Sequence, residues 1–129
     1  MTVLVGFVPT PEGRAAFAAG LAEASRRGEG VLVLNSPRSG APVSVDVADE
    51  NTVRDMTARA EQAAVALEIR QGAHDGEVAD EVLRVARETD ASVIVIGLRR
   101  RSPVGKLLMG SSAQRILLDA DRPVLAVKP

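Results

Sequence analysis

The chain has 129 residues, 46% hydrophobic and 26% charged, with a formal net charge of −1, the composition of one globular domain (residues 1–129) with no general affinity for nucleic acid or anionic membrane. It has no cysteine, tryptophan or tyrosine, two phenylalanines and a single histidine, His74, which excludes disulfides and thiolate metal sites and leaves little for zinc chemistry or base stacking. No basic leader, signal-like segment or apolar run near ~18 residues occurs, so a cytoplasmic protein is expected.

The first apolar run, "VLVGFV" at 3–8, has strand length and no alternation, so both of its faces should be covered, as in a parallel sheet. Thr10-Pro11-Glu12 then supplies a capping residue, a proline and an acid where a helix begins, and Phe17, Ala18, Leu21 and Ala22 recur at spacing four. A second such run, "VLVLN", occupies 31–35. Residues 36–50, "SPRSGAPVSVDVADE", are long for a connection and rich in turn formers, with a weak alternation at Val43, Val45 and Val47; they read as tolerated loop length. Over 51–65 a stripe of Val53, Met56, Ala60, Ala63 and Ala64 predicts a second helix. "LEIRQ" at 67–71 alternates and belongs at a sheet edge, and His74 falls in the loop after it.

Val78, Val82, Val85 and Ala86 mark a third helix, followed by the run "SVIVIG" at 92–97. Next comes "GLRRRSPVGKLLMGSS" at 97–112, which carries Arg99, Arg100, Arg101 and Lys106 and no acid, so one loop is positive on an otherwise acidic protein. A last helix starts at Ser111, with Ala113, Ile116, Leu117 and Ala120 on one face, and "VLAV" at 124–127 closes the chain as a strand. Strict alternation predicts a single doubly wound α/β domain: a five-stranded, mainly parallel sheet with four helices and right-handed crossovers. Ligands in such sheets sit beyond the carboxyl ends of the strands, where strand order reverses, so the loops after strands 1, 2 and 4 are the candidates.

The start of the last helix reads equally as a structural cap or an anion site, and the arginine run equally as a solvated surface or as part of such a site. Ser111 and Gln114 have the spacing of a capping box, while a glycine before a serine at a helix start also presents backbone donors to phosphate. The Walker pattern fails, since seven residues separate Gly97 from Gly105 and Leu107 follows the lysine; G-x-G-x-x-G is absent from the first turn, "VPTPEG". No paired carboxylate, Ser-His-Asp set or Cys-His pair can be assembled.

Gly97, the nine residues 101–109 and Gly110-Ser111-Ser112 stand in the register of G-x2-G-x9-G-[ST]. With "AQRILLDADRPVLAVKP" after them and matching opening strand, helices and element order, the chain resembles the universal stress protein family. The resemblance implies a Rossmann-like domain of the adenine nucleotide alpha hydrolase-like kind, usually homodimeric, in which some members bind ATP and others do not. By position, it implies phosphate contacts for Gly97, Gly110, Ser111 and Ser112, with Arg99 and Arg100 beside them. Val8, Pro9 and Thr10 would border the nucleoside, next to Leu34 and Asn35.

Two departures qualify that carry-over. Val8-Pro9-Thr10 replaces the usual Asp-Gly-Ser, removing a carboxylate that would accept hydrogen bonds from the nucleoside. Arg100 replaces the second motif glycine, and either blocks close backbone approach or substitutes a charged fork for it. The terminal strand, Val124, Leu125, Ala126 and Val127, would lie at an edge and pair with a second copy.

The resulting expectation is a cytoplasmic, homodimeric stress-response module that binds ATP, with Mg, or a related adenine nucleotide weakly, without nucleic acid or membrane partners and not as an enzyme. A dimeric interaction protein of the same fold that binds no nucleotide is the alternative, and a slow nucleotide hydrolase is the least favoured reading.

Overall fold

The computed structural model describes residues 1–35, 49–71, 77–99 and 110–129. They form β1 (Thr2–Gly6), α1 (Pro11–Arg27), β2 (Gly30–Asn35), α2 (Glu50–Gln62), β3 (Leu67–Gln71), α3 (Val78–Glu88), β4 (Ala91–Gly97), α4 (Ser111–Asp119) and β5 (Val124–Val127). All strands pair in parallel in the order β3-β2-β1-β4-β5. The doubly wound architecture is as expected, and both LEIRQ and VLAV lie at edges.

The uninterrupted apolar runs have the meaning that their lack of alternation implies. Val3, Val31 and Val93 stand in register, as do Val5, Val33 and Val95, and both rows face α1 and α2. Leu4, Leu32 and Ile94 form the intervening row and face α3 and α4. Each sheet face therefore carries its own core: Phe17, Leu21, Met56 and Ala60 complete the valine side, and Val82, Val85, Ala86 and Ile116 the leucine–isoleucine side. Fully burying a side chain of this size contributes roughly 1.5–3 kcal/mol, so β1 and β4 at the centre anchor the domain.

The first two helices start where local chemistry dictates. Thr10 caps α1, its hydroxyl accepting from the Gly13 N–H at 3.1 Å, with Pro11 in the first turn. Gly28, at φ 68°, ends the helix in the left-handed conformation that glycine adopts without a Cβ penalty. Asp49 caps α2 by accepting from the Thr52 N–H at 2.8 Å.

The second helix is shorter than the 51–65 stripe predicts. It stops at Gln62, and Ala64 adopts φ 55° in the turn that follows. Ala64 is thereby exposed, and Val65 enters the core from the turn rather than from a helix face.

Helix α1 packs on the sheet at backbone-contact distance. A Cβ at Gly20 would sit 2.4 Å from Val5 Cγ2, and one at Gly13 would sit 1.8 Å from the Val8 carbonyl oxygen. At the end of β4, a Cβ on Gly97 would lie 2.1 Å from the Glu12 carbonyl oxygen. These glycines are required by close approach.

Two predictions follow from this packing and capping. Gly97→Ala should lower the free energy of unfolding by about 1–3 kcal/mol through overpacking against backbone. Gly6→Ala, whose methyl meets nothing nearer than 3.7 Å, should change it by less than about 1 kcal/mol; urea denaturation of both variants checks the contrast. The backbone hydrogen bond from Thr52, followed by its side chain, holds the Asp49 carboxyl below its ordinary pKa. A depressed folded pKa gives support that is present above the unfolded value and lost as pH falls through the folded one. An NMR titration should therefore show Asp49 titrating below a free aspartate, with the first turn of α2 loosening over that same acid range.

Candidate functional site

The strand order reverses between β1 and β4: the chain leaves β1 toward β2 and leaves β4 toward β5. Their carboxyl ends adjoin, so this topological switch point is where a crevice opens in a sheet of this kind. The loop after β1 and the region after β4 are its walls.

After β1 the chain is held closely. The Phe7 N–H donates to the Leu34 carbonyl at 3.0 Å, and the Phe7 carbonyl accepts from Asn35 Nδ2 at 2.9 Å. Val8, Pro9 and Thr10 are half-buried. The Thr10 N–H donates to the Val8 carbonyl at 2.8 Å, while its hydroxyl oxygen is engaged as the α1 cap. Leu34 belongs to the core on the α3 and α4 side, and Asn35 is fully buried. Of the residues expected to border a nucleoside, Val8, Pro9 and Thr10 are thus partly accessible and Leu34 and Asn35 are enclosed.

On the other wall, Gly97 ends β4 against the first turn of α1. The Leu98 N–H donates to the Val127 carbonyl at 2.7 Å, prolonging the pairing with β5, and Arg99 is exposed. Arg100, Arg101 and Lys106 lie outside the described residues, as do residues 36–48 and His74.

The chain is described again at Gly110, and here one expectation is corrected. Gly110 is itself the N-cap of α4, at φ −60° and ψ 152°, and no side-chain capping bond is made. Ser111 is the first helical residue, one place too far along to cap, and the Gln114 N–H donates to the Gly110 carbonyl at 3.0 Å. The capping box does not form. Among the described residues nothing lies within 4 Å of where a Gly110 Cβ would be, so no described neighbour requires this glycine. Ser111 is exposed and Ser112 half-buried beside it, and with no side-chain cap among the described residues the first-turn N–H groups carry the partial positive charge of a helix start.

Arg115, one turn along α4, makes a paired contact with the Asp80 carboxylate in the first turn of α3; its Nη1 donates to Oδ2 at 3.3 Å and its Nη2 to Oδ1. This bridge ties together the starts of two helices. Sequence reading passed over it, since 35 positions separate the partners and each charge taken alone looks like ordinary surface. It also missed Asn35 as a structural bridge. The available signal was a polar residue closing an otherwise apolar run.

Other features bear less on the switch point. A hollow of ≈ 250 Å³ between α1 and α2 includes Phe7, Arg14, Asp49 and Arg59, and another of ≈ 270 Å³ includes Leu34, Arg70 and Arg84. Glu23 is pulled below its ordinary pKa by hydrogen bonding to Arg26, Asp121 is pulled down by Arg122, and Arg84 is raised by Glu81 and Glu88. These belong to surface ion pairs. No group of three His, Cys, Asp or Glu among the described residues could hold a metal, and no described helix is long and apolar enough to cross a membrane.

Comparison with known proteins agrees with this architecture. Residues 1–128 match the sequence model of the universal stress protein family. A universal stress protein of Mycolicibacterium smegmatis is 44% identical over 127 residues, covering 98% of this chain and 97% of its own length. The structure of a universal stress protein from Archaeoglobus fulgidus superposes with a TM-score of 0.83 at 28% identity, covering 99% of this chain and 98% of that one. The structure of the universal stress protein from Archaeoglobus fulgidus in complex with dAMP superposes with a TM-score of 0.75 at 22% identity, with the same coverage of both chains. With its sheet order, its glycine-serine helix start and this full-length match, the chain belongs to the universal stress protein family.

Proposed function

We propose that the protein is a stress-response module that binds an adenine nucleotide weakly at the carboxyl ends of β1 and β4. The phosphates lie at Gly110, Ser111 and Ser112, and the nucleoside lies along Val8, Pro9 and Thr10. The observation that carries this reading is the start of α4: its N-cap is a glycine that no packing within the described residues demands, and its first turn lacks a side-chain cap. A backbone free of Cβ and uncapped N–H groups together suit an oxyanion. The dAMP complex of a relative with the same fold supports the choice of an adenine nucleotide.

Weak binding follows from what the β1 exit lacks. Val8 offers no carboxylate, and the Thr10 hydroxyl oxygen already accepts from α1. Arg99, exposed beyond β4, supplies charge-assisted bonds to phosphate. ATP would bring its own Mg. The protein acts as a cytoplasmic sensor or regulator and not as an enzyme.

The same engagement of Thr10 and enclosure of Asn35 favours the second reading, a dimeric interaction protein that binds no nucleotide. In both readings β5 pairs with its copy across a two-fold axis, since Val124, Leu125, Ala126 and Val127 are half-buried at an open edge.

Calorimetric titration with dAMP and with ATP-Mg separates the two: binding supports the nucleotide reading, and no heat at millimolar nucleotide supports the interaction protein. Gly110→Ala should weaken nucleotide binding by on the order of tenfold by placing a Cβ in the phosphate path, while changing unfolding free energy by less than about 1 kcal/mol. For the dimer, Ala126→Lys brings two like charges together at the two-fold axis and should raise the dimer dissociation constant by on the order of tenfold or more; sedimentation velocity of the wild type and the variant measures it.

A further inference from the structure

We propose that Asn35 is a positioning residue for nucleotide binding: without touching the nucleotide, it fixes the Phe7 carbonyl and through it the Val8–Thr10 segment along the nucleoside. The proposal rests on the nucleotide reading above and adds to it the group that sets the shape of one wall.

Among the described residues, Asn35 is the one buried polar side chain; it has no exposed surface and closes the apolar run of β2. Backbone pairing of β1 with β2 reaches Gly6 opposite Leu34. One residue later, β2 holds both polar backbone groups of Phe7. The Leu34 carbonyl accepts the Phe7 N–H at 3.0 Å, and Asn35 Nδ2 donates to the Phe7 carbonyl at 2.9 Å. A side-chain amide thus adds a rung where the chain is about to leave the sheet. On its other side Asn35 Oδ1 faces Gln71 Nε2 at 3.5 Å, and Gln71 is its register partner on β3.

The far end of the exit segment is fixed as firmly. The Val8 carbonyl accepts the Thr10 N–H at 2.8 Å and occupies the space where a Gly13 side chain would be. The Gly13 N–H in turn donates to the Thr10 hydroxyl. Val8, Pro9 and Thr10 therefore span from Asn35 on β2 to the first turn of α1, and their conformation depends on both ends. An apolar residue at 35 would leave the Phe7 carbonyl without this donor in a buried place, and the exit segment would shift to relieve it.

The test uses the full chain with Asn35→Leu, which keeps the branched four-atom side chain but lacks the amide, and with Val82→Ala, which removes methyl groups from the core on the opposite sheet face, as a control for general destabilisation. Hydrogen exchange at the Thr10 and Gly13 amides, without nucleotide, should be on the order of tenfold faster in Asn35→Leu than in Val82→Ala at matched stability. The dissociation constant for dAMP should rise on the order of tenfold in Asn35→Leu and stay near the wild-type value in Val82→Ala. A companion variant, Asn35→Asp, should bind weakly at neutral pH and recover in mild acid, where a protonated carboxyl donates to the Phe7 carbonyl again.

Equal exchange at Thr10 and Gly13 in the Asn35 and Val82 variants overturns the proposal, as does undiminished dAMP affinity in Asn35→Leu. Should the wild type bind no nucleotide, the function proposed above fails, and the exchange comparison still decides whether Asn35 shapes this segment.

Discussion

The close seating of α1 on the sheet is the constraint from which the rest of the switch point derives. A methyl group at Gly13, Gly20 or Gly97 would overlap the Val8 carbonyl after β1, the Val5 side chain of β1 or the Glu12 carbonyl of α1, respectively. The helix therefore sits closer to the sheet and its exits than any side chain at these positions allows. The exit from β1 must then turn sharply, so Thr10 caps the helix directly and Val8 and Pro9 are left to form the wall. The end of β4 is locked to the same first turn through Glu12. Both walls of the crevice are thereby referenced to one helix, and a displacement of α1 would move both.

This geometry separates two glycines that a sequence motif presents as equivalent. Gly97 is accounted for by its contact with the Glu12 carbonyl, a requirement of the fold. Gly110 has an ordinary negative φ, and no described atom lies near its missing Cβ. Among the described residues, then, no contact accounts for its lack of a side chain. Two glycines of one sequence pattern can thus stand in different packing environments, and only the three-dimensional neighbours distinguish them.

The architecture was legible because its physics is local and repetitive. Runs such as Val31–Leu34 announce two covered faces, and Thr10-Pro11-Glu12 announces a helix start; each is decided within a few residues. The end of α2 was misread because alanines continue the apolar stripe to Ala64, while a single left-handed residue stops the helix. The expected capping box at Ser111 has the correct spacing, yet the extended conformation of Gly110 moves the cap one residue earlier. Asn35 and the Asp80–Arg115 bridge depend on partners 28 and 35 positions away, which no local pattern encodes. The candidate site was therefore legible as a place, with the division of labour among its residues set by tertiary contacts.

The two edges of the sheet are built differently, and the difference bears on assembly. β3 exposes Glu68 and Arg70, which pair with each other at 3.2 Å; charged side chains of this kind discourage another strand from docking. β5 carries no charge along Val124–Val127 and is half-buried on both faces. Leu118, on the helix just before it, is 76% exposed. An apolar edge and an exposed leucine have unfavourable contacts with water that a second copy would reduce, whereas the charged β3 edge would gain less from the same pairing. Because β5 is joined to β4 and lies at the far end of the sheet from β3, association there would leave the β1 exit and the start of α2 facing solvent, and would place the new interface on the side of the molecule that also carries α4. A dimer formed at β5 would thus adjoin α4, whose residues Ala113, Ile116 and Ala120 pack in the same core as Val124 and Ala126, so the first turn of that helix and the strand edge share one structural element.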